Sequence, residues 1–87
     1  MKLVFAESAA KTIAKLPTPI ARRIVQKMEW FALQDDPLSF AKPLTNSKVG
    51  NYRFRIGAYR VLVDIHHGRI SVLIVLAVRH RKEAYRL

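Results

Sequence analysis

Apolar residues recur along this chain in three patterns, and each predicts a different element. Residues 70–78 (Ile-Ser-Val-Leu-Ile-Val-Leu-Ala-Val) form the longest apolar run, rich in β-branched side chains and free of Gly and Pro. Such a run predicts a strand covered on both faces, hence interior to its sheet. Tyr52, Phe54 and Ile56 alternate with Arg53, Arg55 and Gly57, which predicts a strand with one apolar and one cationic face. Residues 59–65 predict a strand between these two. The short connections Gly57-Ala58 and His66-His67-Gly68 impose an antiparallel meander.

The first half of the chain follows a helical period. After a short apolar stretch at residues 2–6, long enough for one strand, Ala9, Ile13 and Leu16 are spaced by four and three, with Glu7 or Ser8 as the expected cap. Pro17 ends this helix, because the residue before a proline is pushed out of the helical region. Thr18 is the expected N-cap of a second helix with Pro19 at its first position. There Ile20, Ile24, Met28 and Phe31 repeat at four, four and three. Arg22, Arg23 and Lys27 fall largely elsewhere on the helix, and Trp30 and Phe31 read as packing residues. Asp35-Asp36-Pro37 closes the element, and residues 37–50, with Pro37, Pro43, Gly50 and a polar run at 45–48, read as a crossing loop. The predicted fold is α+β in a single domain, 1–87. It runs as an N-terminal strand, a helical hairpin and a three-stranded antiparallel meander, with the first strand pairing beside the last.

Composition narrows the classes. Eighty-seven residues, 51% hydrophobic, suffice for one modest core. With no cysteine, neither a disulfide framework nor a thiolate metal site is available. The apolar run falls well short of the ~20 residues that span a bilayer, and the N-terminal stretch lacks the apolar length of a secretion signal. A cytoplasmic location and no membrane partner are the expectation. The formal charge of +10 is uneven: residues 1–47 hold seven cations and four acids, residues 48–87 nine and two. A field concentrated on the strand-rich half attracts polyanions.

Arg53 and Arg55 share one face of their strand, where like charges repel unless an anion lies over them. Arg60 begins the next strand, and Arg79 and Arg81 end the strand after that, so that these five arginines can converge on one surface. The bland alternative is a cationic face that serves solubility. His66 and His67 read as turn residues, and His80 projects opposite Arg79. The acids form no paired-carboxylate or metal site, and no cofactor is indicated.

Tyr52-Arg53-Phe54-Arg55, Gly57-Ala58-Tyr59-Arg60 and Val78-Arg79-His80-Arg81-Lys82-Glu83-Ala84-Tyr85, in this order of elements, resemble the RelE group of toxins from bacterial and archaeal type II toxin–antitoxin systems. The resemblance covers essentially the whole chain. It implies the RelE-like fold with a short C-terminal helical turn, and a metal-independent endoribonuclease (mRNA interferase) that enters the ribosomal A site and cleaves messenger RNA. It also implies an acidic, RelB-like antitoxin partner in a hetero-oligomer. Arg60 would stabilise charge on the scissile phosphate, Arg79 would assist departure of the 5′ oxygen and Tyr85 would stack on a base beside the cut. Arg53, Arg55, Arg81 and Lys82 would contact phosphates. Arg53 and Arg55 stand where the best-known member has lysines; arginine keeps its proton, so the two read as clamps and not as bases. Removal of Arg60 or Arg79 is expected to leave the fold intact. Within the same fold the rival is a ParE-like inhibitor of DNA gyrase that cuts nothing. A third reading is a non-catalytic RNA-binding module that stacks bases on Tyr52, Tyr59 or Tyr85.

Overall fold

The apolar run forms β5, Val72–His80, displaced two residues toward the C-terminus from the expected span. The register pairs His66 with Val72, so the connection has five residues and leaves Ile70 in it, 66% exposed. The computed structural model describes residues 1–84. Before β5 come β1 (Lys2–Phe5), α1 (Glu7–Ala14), α2 (Thr18–Leu33), a 3-10 turn at Pro37–Phe40, β2 (Lys42–Pro43), β3 (Tyr52–Ile56) and β4 (Tyr59–His66), and α3 (Arg81–Ala84) follows it. The sheet order is β1-β5-β4-β3-β2. β1 lies parallel to β5, and the remaining pairs are antiparallel. The first strand thus sits beside the last as expected, and the short helical turn follows β5.

β2 is an addition to the expected meander. Two residues are too few to show a period, and a proline is tolerated there because β2 is an edge strand. The helix starts also differ. Pro17 occupies the cap of α2, without a side-chain cap, and Thr18 is already helical; the fixed φ of proline presents its carbonyl to Ile20 N and Ala21 N, both at 3.0 Å. Ala6 caps α1, which frees Ser8 Oγ to donate to Leu76 O at 3.1 Å.

Both helices cover one face of the sheet. Ala9, Ile24, Met28 and Phe31 meet Phe54, Val61, Val63, Leu73, Val75 and Val78 in the core. Phe31 stacks on Phe54 with ring centroids 4.6 Å apart, and Trp30 packs edge-on against Phe31 and Phe40 at the margin, 44% exposed. Among the described residues no helix is long and apolar enough to cross a membrane.

One irregularity in β5 decides what the opposite face carries. Val61 pairs with Val78 and Leu62 with Ala77, but Val63 pairs with Val75, so Leu76 is a bulge. Its carbonyl is the one that Ser8 satisfies. Leu73 and Val75 point into the core, and a strict two-residue period would carry Arg79 inward with them. The extra residue reverses that parity: Val78 is in the core and Arg79 emerges on the open face.

Gly50 is held where no other residue fits without strain. Its φ is +72°, and a Cβ there would lie 2.7 Å from Val63 O, an atom that accepts Asn51 N at 3.0 Å. Gly50→Ala is expected to destabilise by about 1–3 kcal/mol, and each kcal/mol lowers Tm by roughly 4–8 °C in a domain this size. An unchanged Tm would contradict that close approach.

Candidate phosphate-binding site

The turn Gly57-Ala58 sets the register of the site. Gly57 takes φ +58° at the first central position of a two-residue hairpin, as a type II′ turn requires. Ile56 then pairs with Tyr59 and Arg55 with Arg60, and Arg60 pairs in turn with Arg79 on β5. Three arginines therefore stand in one cross-strand row, on strands about 4.7–4.9 Å apart. In the next row Lys42, Arg53, Leu62 and Ala77 lie side by side. Lys42 is a member that sequence reasoning missed, since only its pairing with Arg53 places it there.

The arginines are not equivalent. Arg55 is exposed and Arg53 and Arg79 are half-buried, whereas Arg60 is 5% exposed. Arg60 Nη1 donates to Gly57 O at 3.1 Å and to Tyr59 O at 3.0 Å, so its guanidinium braces the β3–β4 turn. Removal of Arg60, expected to leave the fold intact, would take both bonds from the turn. Arg79 Nη1 is buried and has no hydrogen-bond partner, a costly state for a charged donor.

Among the described residues no carboxylate pairs with the row. Among the described residues the single ion pair joins Lys11 to Glu7 at 3.1 Å. Asp64 shares the open face, but it lies four residues along β4 from Arg60, about 13 Å at the strand rise, and it accepts Asn51 Nδ2 at 2.7 Å. Cations opposed at this spacing repel, and an anion laid over them removes the repulsion.

The other candidate residues divide. Arg81 does not extend the β5 row: the strand ends at His80, and Arg81 and Lys82 are exposed on α3. Arg81 N donates to Ala58 O at 2.7 Å, tying α3 to the hairpin turn that Arg60 braces. His80 lies on the face opposite the arginines, edge-on to Tyr59 at 5.4 Å, with its Nδ1 accepting Lys82 N at 3.3 Å. His66 ends β4 six residues from Arg60, about 20 Å away. Tyr52 and Tyr59 are half-buried and pack against the core on the face opposite the arginines. Tyr85 lies outside the described residues. No three His, Cys, Asp or Glu side chains come together among those described.

The family model described as "ParE toxin of type II toxin-antitoxin system, parDE" matches residues 3–85. The chain belongs to the RelE/ParE superfamily of type II toxin–antitoxin toxins. It is 34% identical over 85 residues to Toxin RelG of Mycobacterium tuberculosis, covering 94% of this chain and 92% of that one. In structure it is similar to the toxin–antitoxin complex RelBE2 of the same organism, with a TM-score of 0.73 and 30% identity over 92% of this chain and 96% of the other. The RelB–RelE complex of Methanococcus jannaschii matches with a TM-score of 0.63 over 95% of each chain. At 24% identity that likeness concerns the fold. The resemblance read from the Tyr-Arg, Gly-Ala-Tyr-Arg and Arg-x-Arg-x-x-x-Tyr segments is thus met by family, relatives and architecture alike.

Proposed function

We propose that this toxin is a ribosome-dependent messenger RNA endoribonuclease and that the Arg55–Arg60–Arg79 row is where the scissile phosphate sits. The observation that carries the reading is the buried, unpartnered Nη1 of Arg79 in a row without a carboxylate. Attack of a 2′-hydroxyl on its own 3′-phosphate adds negative charge to the non-bridging oxygens, and fixed guanidinium groups stabilise that charge as an oxyanion hole does. Arg79 places its charge beside the departing 5′ oxygen. Arg60 contributes charge from beneath, held by the turn. Arg53 and Arg55 clamp the phosphates on either side, Tyr85 stacks on a base beside the cut, and Arg81 and Lys82 extend the contact along α3. Arginine holds its proton and His80 faces away, so the row contributes placement and electrostatics rather than a general base. No metal or cofactor is needed in this reading.

Complexes of similar toxins with RelB-type antitoxins support an acidic antitoxin as the partner that holds this chain inactive in the cytoplasm. A second reading has support of its own, since the matching family is described by ParE. Under that reading the same cationic surface docks on DNA gyrase and cuts nothing.

The test is incubation of the purified protein with programmed ribosomes. Cleavage is expected to leave a 2′,3′-cyclic phosphate and a 5′-hydroxyl, and to stop when a single 2′-deoxynucleotide stands at the cut. Cleavage that survives the deoxy substitution would contradict 2′-hydroxyl attack.

A further inference from the structure

The open sheet face is not the only cationic surface. On α2, Arg22, Arg23 and Lys27 are exposed and, with Pro19, Gln26 and Trp30, line a shallow groove of about 460 Å³. Glu29, the one acid on α2, lines the adjoining groove on the α1 side, which shares Arg22 and Gln26 with this one. Arg23 links the helix strip to the hairpin turn of the arginine row. The Arg23 guanidinium lies over the Cα of Gly57, where a methyl group would stand 3.4 Å from its Nη1 and 3.5 Å from its Cζ. The carbonyl of the same Gly57 accepts Arg60 Nη1 at 3.1 Å. The hairpin turn is thus bracketed by two guanidinium groups, one from the sheet face and one from the helix.

We propose that the α2 groove is a second phosphate-binding surface, taking the backbone of the RNA strand that leaves the arginine row over the Gly57 turn. This rests on the reading of the row as an RNA site. The groove suits a phosphate backbone better than an acidic helix. Its apolar contribution comes mainly from Pro19 and Trp30, and Lys27 Nζ already covers the Trp30 ring at 4.5 Å from the centroid. An RNA strand offers phosphates to the three cations and a base to the half-exposed Trp30 ring.

The experiment compares binding of a four-nucleotide and a sixteen-nucleotide RNA, spanning the usual site sizes of single-strand binding domains, as a function of salt. The longer RNA is expected to show a log–log slope steeper by about 2, from three cations at about 0.7 each. Arg22→Gln with Lys27→Gln, which spares the Gly57 contact, should flatten the slope of the long RNA only, and adding Arg23→Gln should flatten it further. Arg53→Gln with Arg55→Gln should flatten both. If the short RNA binds and the long one is no steeper, or the α2 variants leave its slope unchanged, the groove is not an RNA surface while the row still is. If neither RNA binds the wild type, the row reading falls as well. If the α2 variants weaken binding of a poly-Glu peptide and leave RNA binding intact, the groove takes an acidic protein and the proposal is overturned.

Discussion

Replacing Arg79 by Ala is expected to slow cleavage of ribosome-bound message by about 10²–10³-fold, the usual effect of losing one donor to a developing oxyanion, with little change in Tm. Its Nη1 has no bond to lose, and its charge stands opposite that of Arg60, so truncation relieves repulsion. Arg60→Ala should behave differently. It removes a buried charge whose Nη1 joins two turn carbonyls, bonds worth roughly 1.5–3 kcal/mol when a charged group makes them, so rate and Tm should fall together. The pair of variants separates the cation that acts on the substrate from the cation that holds the turn. Arg79→Ala with full activity would remove that residue from the chemistry.

Phe54→Ala is expected to have the largest effect on stability, about 3–5 kcal/mol, against a total of about 4–13 kcal/mol for a chain of this length. Phe54 is fully buried and stacks on Phe31, and it is the anchor between Arg53 and Arg55. β3 pairs with the eight-residue β4 on one side but with only the two-residue β2 on the other. Without the aromatic anchor the strand loses its hold on α2, and both clamp arginines lose their fixed spacing. Chemical denaturation measures the loss, and amide exchange across β3 locates it. A loss under about 1 kcal/mol would mean that the Phe31–Phe54 contact is not where the sheet and α2 are joined.

The local rules carried the sequence reading wherever a period ran unbroken. Tyr52, Phe54 and Ile56 announce the buried face of β3, and the Gly57-Ala58 turn leaves one register in which Arg55 meets Arg60. Ile24, Met28 and Phe31 mark the core side of α2 in the same way. What escaped lies where a period breaks without a polar residue to mark it. Leu76 is one of eight apolar residues in the run 70–78, yet as a bulge it turns Arg79 from the core side to the open face. Lys42 enters the site through a strand too short to show alternation. Alternation also treats an outward residue as an exposed one, which hid the burial of Arg60 and its bonds to the turn. Nothing in Arg-His-Arg-Lys signals that the backbone turns helical after His80, so the sequence alone leaves Arg81 on the strand. Family likeness names the row's substrate and the partner as expectations, but the register shows which cations face one another.

The central claim is that the uncompensated row of Arg55, Arg60 and Arg79 cuts RNA, and one side-by-side measurement tests it most directly. The wild-type protein and Arg79→Ala are assayed from the same preparations for cleavage of message on programmed ribosomes and for inhibition of DNA gyrase supercoiling. The account predicts that wild type cuts the message, that Arg79→Ala cuts about 10²–10³-fold more slowly, and that neither slows gyrase. Wild-type protein that blocks supercoiling and leaves the ribosome-bound message whole would contradict the account and make the row a docking surface for gyrase.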